Sequence, residues 1–185
     1  MTTRERKEMT AWEIDQWSSH RLILEPLFKM VHIRNTLELG AGMFSTKMLA
    51  ANCDNLVSIE TDRDWFLEME SKLPSPKNAL IYSEDTNVSK YVKNTSEIYH
   101  STPMFDLLFV DGTDRQQSVI EGMKQMIPYI VIHDFLEETK GEIGLLPSYE
   151  EFDTIGKHFN PTAIYSTNKV VIGALTQLYQ PTQAT

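Results

Sequence analysis

The sequence predicts an α/β sandwich, an open and mostly parallel sheet with helices on both faces, and three observations carry that expectation. Short apolar runs alternate with longer segments of helical period from residue 35 onward. One run, Leu107-Leu108-Phe109-Val110, is continuously apolar, as a strand buried on both faces requires. The last two runs, Thr162 to Ser166 and Val170 to Ala174, are separated only by Thr167-Asn168-Lys169, a spacing that makes a hairpin and hence an antiparallel ending.

The elements follow in order. Residues 10–31 carry Trp12, Ile14, Trp17, Leu22, Leu24, Leu27, Phe28 and Met30 at spacings near three to four, which predicts one or two amphipathic helices outside the repeating unit. Asn35 to Leu39 is the first strand, ending in glycines, and Ser45 to Ala51 the helix after it. Leu56 to Glu60 is the second strand. Thr61 and Asp64 have the spacing of a capping box, opening a helix to Lys72 that Pro74-Ser75-Pro76 breaks. Ala79 to Ser83 is the third strand, Val88 to Tyr99 a helix, and Phe105 to Val110 the fourth strand, central in the sheet. After the turn Asp111-Gly112-Thr113-Asp114, Arg115 to Met126 is helical with Val119, Met123 and Met126 inward, and Tyr129 to Ile132 is the fifth strand, ending at His133-Asp134. Ser148 and Glu151 form a second capping pair, expected to start a helix to Phe159.

Composition sets the outer bounds. A length of 185 residues, 41% hydrophobic and 23% charged, is enough for one sizeable core and short for two, so one domain is expected. Its parts are a helical segment 1–31, a core 32–178 and a polar tail 179–185. Asp plus Glu total 26 against 17 Lys plus Arg, a net charge of −9, which offers no basic face for nucleic acid and argues against that class of partner. No apolar run approaches the ~20 residues of a membrane span, so no membrane partner is expected. The N-terminus, charged in both signs, leads into no signal-like apolar stretch. With a single cysteine, Cys53, read as a passive thiol, the expectation is a cytoplasmic protein.

Ligands of open parallel sheets sit at the carboxyl ends of the strands, and here every such end carries an acid. They are Glu38 before the turn Gly40-Ala41-Gly42, Glu60 after the second strand, Glu84-Asp85 after the third, Asp111 after the fourth, and His133-Asp134 after the fifth. A Gly-x-Gly turn alone is as well read as a structural turn. Glu60, 20 residues beyond Gly40 at the next strand end, adds a carboxylate placed for two ribose hydroxyls, which favours a nucleoside-containing cofactor. A dinucleotide would bring a pyrophosphate against Glu38, with Ser45 where a third glycine is usual; S-adenosyl-L-methionine brings a sulfonium and an ammonium, which Glu38 and Asp111 complement.

Through Leu37-Glu38-Leu39-Gly40-Ala41-Gly42, Val57-Ser58-Ile59-Glu60 and Phe105-Asp106-Leu107-Leu108-Phe109-Val110-Asp111-Gly112, the chain resembles the class I S-adenosylmethionine-dependent methyltransferases from about Thr36 to Leu175. Its Phe44-Ser45-Thr46 ending and Val-Asp-Gly fourth strand are similar to small bacterial and phage members. The resemblance implies a Rossmann-like three-layer sandwich with seven strands in the order 3-2-1-4-5-7-6, the seventh antiparallel. It implies that Gly40, Ala41, Gly42, Ser45 and Thr46 face the methionine moiety, with Glu38 on its ammonium directly or through water. Glu60, beside Thr61, would bind the ribose, Asp85, beside Thr86, the adenine N6, and Asp111 would border the reacting methyl. The third glycine of the fuller motif is absent, and so is the Asn/Asp-Pro-Pro-aromatic motif of many amine-methylating enzymes.

Methyl transfer to a hydroxyl needs alignment and a proton acceptor, for which Asp111, His133 and Asp134 are the candidates. A histidine at a strand end is, however, more often a satisfied structural residue, and His133 is open to that reading. Catechol-type O-methyltransferases hold a metal with positions matching Asp111 and Asp134, but Phe135 stands in the third, so no metal is expected. Acceptor recognition is expected from the N-terminal helices with Trp12 and Trp17, the loop Phe135 to Pro147, and the turn around Asn168. Trp12 and Trp17 also fit simple packing, and Arg115, a candidate for an anionic acceptor, also fits a solvated helical turn. The expected activity is methyl transfer to a small-molecule acceptor, most plausibly at oxygen. The alternatives are a non-catalytic sensor that binds the same cofactor and a nicotinamide-dependent oxidoreductase.

Overall fold

The computed structural model describes residues 19–72, 78–99, 105–135, 143–154 and 160–179. Its elements are α1 (Arg21–Met30), β1 (Ile33–Leu39), α2 (Ser45–Asn52), β2 (Cys53–Glu60), α3 (Arg63–Lys72), β3 (Asn78–Tyr82), α4 (Val88–Tyr99), β4 (Leu107–Val110), α5 (Arg115–Lys124), β5 (Tyr129–His133), β6 (Glu150–Asp153), β7 (Thr162–Ser166) and α6 (Lys169–Tyr179). The seven strands form one sheet in the order β3-β2-β1-β4-β5-β7-β6. Pairings from β3 through β5 are parallel, and β7 runs antiparallel to both β5 and β6.

The four residues of β4 are all fully buried, and alternation divides them between two cores. Leu108 and Val110 pack with Leu37, Leu39, Ile130 and Ile132 beneath Val88 of α4 and Val119 and Met123 of α5. On the other face Leu107 and Phe109 pack with Leu56, Val131 and Ile164 beneath Ile23, Leu24 and Leu27 of α1, Leu49 of α2 and Leu175 of α6. This two-faced burial is why the central strands read as uninterrupted apolar runs, whereas β3 at the sheet edge leaves Ile81 and Tyr82 exposed.

The expected architecture and strand order hold, but three local readings are corrected. Val170 to Ala174 is not a strand: it lies within α6, and Asn168 is that helix's cap, its Oδ1 accepting from the backbone N–H groups of Val170 at 3.1 Å and Val171 at 3.4 Å. Val-Val-Ile has high strand propensity, yet Val171, Ile172 and Leu175 are buried while Val170 is exposed, and packing on that stripe decides the outcome. The partner of β7 is instead β6, so Ser148 and Glu151 start no helix. Glu150 to Asp153 is extended, with Phe152 turned into the core against Tyr179; the continuation expected to Phe159 lies outside the described residues. Third, the cap of α3 is Asp62, whose Oδ1 accepts from Trp65 N–H at 2.9 Å, in place of the Thr61 and Asp64 box.

Candidate functional site

The chain leaves β1 through Gly40, whose φ of +87° is left-handed, a region only glycine enters freely. A Cβ on Gly40 would stand 2.5 Å from the backbone nitrogen of Gly112, and one on Gly112 would stand 3.2 Å from the nitrogen of Gly40. The two glycines therefore let the turns after β1 and β4 cross in direct backbone contact. This is a fold requirement that the Gly-x-Gly pattern alone did not distinguish from ligand approach.

Glu60 closes the same corner from β2. Its Oε2 accepts from Ala41 N–H at 3.0 Å and its Oε1 from the N–H groups of Thr61 at 2.7 Å and Asp62 at 2.8 Å. Trp65 adds a hydrogen bond from its indole N–H to the Ala41 carbonyl at 2.6 Å. Around this corner lie two adjoining cavities. One, of about 400 Å³, is walled by Gly40, Ala41, Glu60, Thr61, Gly112 and Thr113; the other, of about 450 Å³, by His20, Gly42, Met43, Phe44, Ser45, His133 and Asp134. Ala41, Trp65, Asp111 and Arg115 belong to both, so the cavities meet at Asp111.

Glu38 lines neither cavity, so of the two contacts expected of it, direct or through water, the fold does not provide the direct one. It is fully buried, its Oε1 accepting from the Ser45 hydroxyl at 2.7 Å and its Oε2 from those of Thr46 at 2.8 Å and Ser58 at 2.5 Å. Burial drives its pKa up to about 7 against the opposing hydroxyls, with the Asp111 charge adding to the rise. Glu38 thus fixes the start of α2, and Ser45 is its link to the cavity wall. Thr46 is buried beside it, accepting from Gly42 N–H at 2.9 Å. Asp85 and Thr86 lie outside both walls. Asp85 pairs with Lys90 at 2.8 Å and accepts from Asn87 N–H, which hold its carboxyl below the usual range.

The acids after β4 and β5 do converge. Asp111 Oδ1 lies 3.0 Å from His133 Nδ1 and 3.1 Å from the Arg115 guanidinium, which also stands 3.5 Å from Asp134 Oδ2. Burial pushes the Asp111 carboxyl up, but the hydrogen bonds and charges of His133 and Arg115 outweigh it and hold the group low. The other face of His133 is committed too, since its Nε2 lies 3.0 Å from Ser19 Oγ. The Ser19 hydroxyl also donates to the Asn160 carbonyl at 2.5 Å, which ties the contact to the turn before β7. No nitrogen of His133 is left for a substrate, which corrects its reading as a proton acceptor and assigns it a positioning role. Asp134, at a left-handed φ of +53°, keeps a buried Oδ1 without a hydrogen bond.

Asp111, His133 and Asp134 bring three ligand atoms within 4.8 Å, a set the sequence reading missed by looking to Phe135. Arg115, however, supplies these two carboxylates with a cation of the protein's own, and a divalent ion would have to displace it, so the donor set does not fit a metal. Sequence reasoning also missed His20, which tertiary packing alone brings to β5. Trp65 had a weak signal, an aromatic in the first turn of the helix after Glu60. The turn around Asn168 is remote from the site: Asn168 bonds to Tyr129, at the opposite end of β5 from His133. Trp12, Trp17 and residues 136–142 of the loop expected to read the acceptor lie outside the described residues.

The fold is that of the class I S-adenosylmethionine-dependent methyltransferases. The N-methyltransferase NodS from Bradyrhizobium japonicum WM9, in complex with S-adenosyl-L-homocysteine, is similar over 88% of this chain and 90% of its own at a TM-score of 0.51 and 15% identity. Precorrin 8w decarboxylase from Methanobacterium thermoautotrophicum is similar over 86% and 92% at 0.54 and 17%, and an rRNA methylase from Streptococcus thermophilus over 79% and 94% at 0.53 and 10%. No protein-family model and no curated protein matches the chain in sequence. Among the described residues, no helix is long and apolar enough to cross a membrane.

Proposed function

We propose that the chain is an S-adenosyl-L-methionine-dependent methyltransferase acting on a small-molecule acceptor at oxygen. The observation that carries this reading is the pair of adjoining cavities at the carboxyl ends of β1, β2 and β4, meeting at Asp111. Their size suits a nucleoside-sized ligand beside a small acceptor. Glu60 and Thr61 would take the ribose, and the Gly40 to Gly42 turn with Ser45 the methionine portion. The bound cofactor supplies an electrophilic methyl on a sulfonium, whose positive charge Asp111 and Asp134 complement.

The remaining work falls to the protein's side chains. Arg115 holds Asp111 and Asp134 in fixed relation, and His133, clamped by Ser19, fixes Asp111 from the other side. Asp134 Oδ1, which has no hydrogen-bond partner among the described residues, would accept the hydroxyl proton as the methyl–oxygen bond replaces the methyl–sulfur bond. The rRNA-directed reading, raised by structural neighbours that include an rRNA methylase and a 23S rRNA methyltransferase, is disfavoured by the net charge of −9.

Titration calorimetry with S-adenosyl-L-methionine and S-adenosyl-L-homocysteine tests the cofactor. Binding of both is expected, weakened about tenfold or more in Glu60→Ala, since hydrogen bonds to a charged group are worth roughly 1.5–3 kcal/mol. Absence of heat with either ligand, or binding of reduced nicotinamide dinucleotide in their place, would overturn the proposal. Transfer of labelled methyl to a metabolite extract separates the enzyme from a cofactor-binding sensor.

A further inference from the structure

His20 is 1% exposed, and neither of its ring nitrogens has a hydrogen-bond partner among the described residues. Buried polar groups are nearly always hydrogen-bonded, and an imidazole left with two idle nitrogens is an exception that asks for a cause. It is held by its ring edges and faces alone, T-shaped against Phe109 at 5.5 Å and against His133 at 5.3 Å. Burial, reinforced by the neighbouring His133, pushes its pKa down to about 4, so the ring is uncharged at neutral pH and offers one donor and one acceptor.

The location of this ring says what it is for. His20 lines the 450 Å³ cavity, and two other buried polar atoms without a hydrogen bond belong to residues of that same wall: Arg115 Nε and Asp134 Oδ1. The same wall includes the side chains of Met43, Phe44 and Trp65. A lining that combines residues with unsatisfied polar atoms and apolar, aromatic side chains matches a flat apolar molecule carrying a hydroxyl.

We propose that His20 is the residue that recognises the acceptor, giving or taking a hydrogen bond at the hydroxyl of a small aromatic molecule seated between Trp65 and the Asp134 carboxylate. This deepens the methyltransferase reading and rests on it. His20 orients the hydroxyl, while Asp134 remains the group placed to take its proton. The acceptor class that follows is a phenol.

Phenol itself is the probe. The His20 imidazole resonances are followed by NMR as phenol is titrated into the full-length protein saturated with S-adenosyl-L-homocysteine, and phenol affinity is then compared in His20→Phe and His20→Asn. The expected result is a saturable shift of the His20 ring, affinity about tenfold weaker in His20→Phe, and partial recovery in His20→Asn, which restores a donor and an acceptor. S-adenosyl-L-homocysteine affinity stays within about twofold in both variants. Cofactor binding with no phenol-dependent shift at His20, or phenol binding equally well to His20→Phe, overturns this inference and leaves the cofactor reading standing. Failure of the wild-type protein to bind S-adenosyl-L-homocysteine overturns both. The wild-type shift is read without any substitution, so a variant that fails to fold does not obscure the answer.

Discussion

Glu38 makes the stability of the protein depend on pH in a direction opposite to that of most carboxylates. In the folded chain its pKa is about 7, against an ordinary value of 4.5 that it regains on unfolding. Between those values the native state holds a proton that the unfolded state has lost, so raising the pH through this window favours unfolding. The contribution is fully present below pH 4.5, declines as pH rises, and is gone above about pH 7. A separation of about 2.5 units corresponds to about 3 kcal/mol at 1.36 kcal/mol per unit. Glu38→Gln removes the titration while keeping the shape. Urea unfolding of both proteins from pH 4 to 9 gives the measurement: wild-type stability minus that of Glu38→Gln falls by about 3 kcal/mol across the window and is flat above it. A difference independent of pH, or one that grows with pH, would refute the assignment of Glu38 as a carboxyl kept neutral by burial.

Three other substitutions probe the framework. Gly40→Ala places a methyl 2.5 Å from the Gly112 nitrogen at a φ of +87° and is expected to cost about 3 kcal/mol in urea unfolding. Ser19→Ala leaves His133 Nε2 and the Asn160 carbonyl without their shared hydroxyl, an expected loss of about 2 kcal/mol by the same assay. Asn168→Ala removes the cap of α6 and costs about 1 kcal/mol, with S-adenosyl-L-homocysteine affinity unchanged in calorimetry because the cap lies at the far end of the sheet.

The parallel half of the sheet was legible because burial on both faces writes itself into consecutive residues, as in Leu107 to Val110. Of the last three elements, β7 was legible, while β6 and α6 were misread because their conformations are set from outside. The four residues of β6, Glu-Glu-Phe-Asp, have no strand character until β7 pairs with them, and Val170 to Ala174 looks extended until Asn168 and the core impose a helix. At the site, strand-end acids could be found by position, but their roles could not. Glu38 and Glu60 differ little in sequence context, yet one is sealed under three hydroxyls and the other stands in a cavity wall. His20 enters the site by packing against His133 across a long sequence separation, which no local pattern encodes.

The crossing of Gly40 with Gly112 joins two loops that would otherwise move separately. With backbone against backbone and no side chain to yield, a displacement of the turn after β1 is passed to the turn after β4, and Asp111 travels with it. Because Asp111 lines both cavities, a ligand in one rests against a residue that also shapes the other. Affinities at the two cavities are therefore expected to be linked, and such linkage is reciprocal: whatever factor the first ligand adds to the second, the second returns to the first.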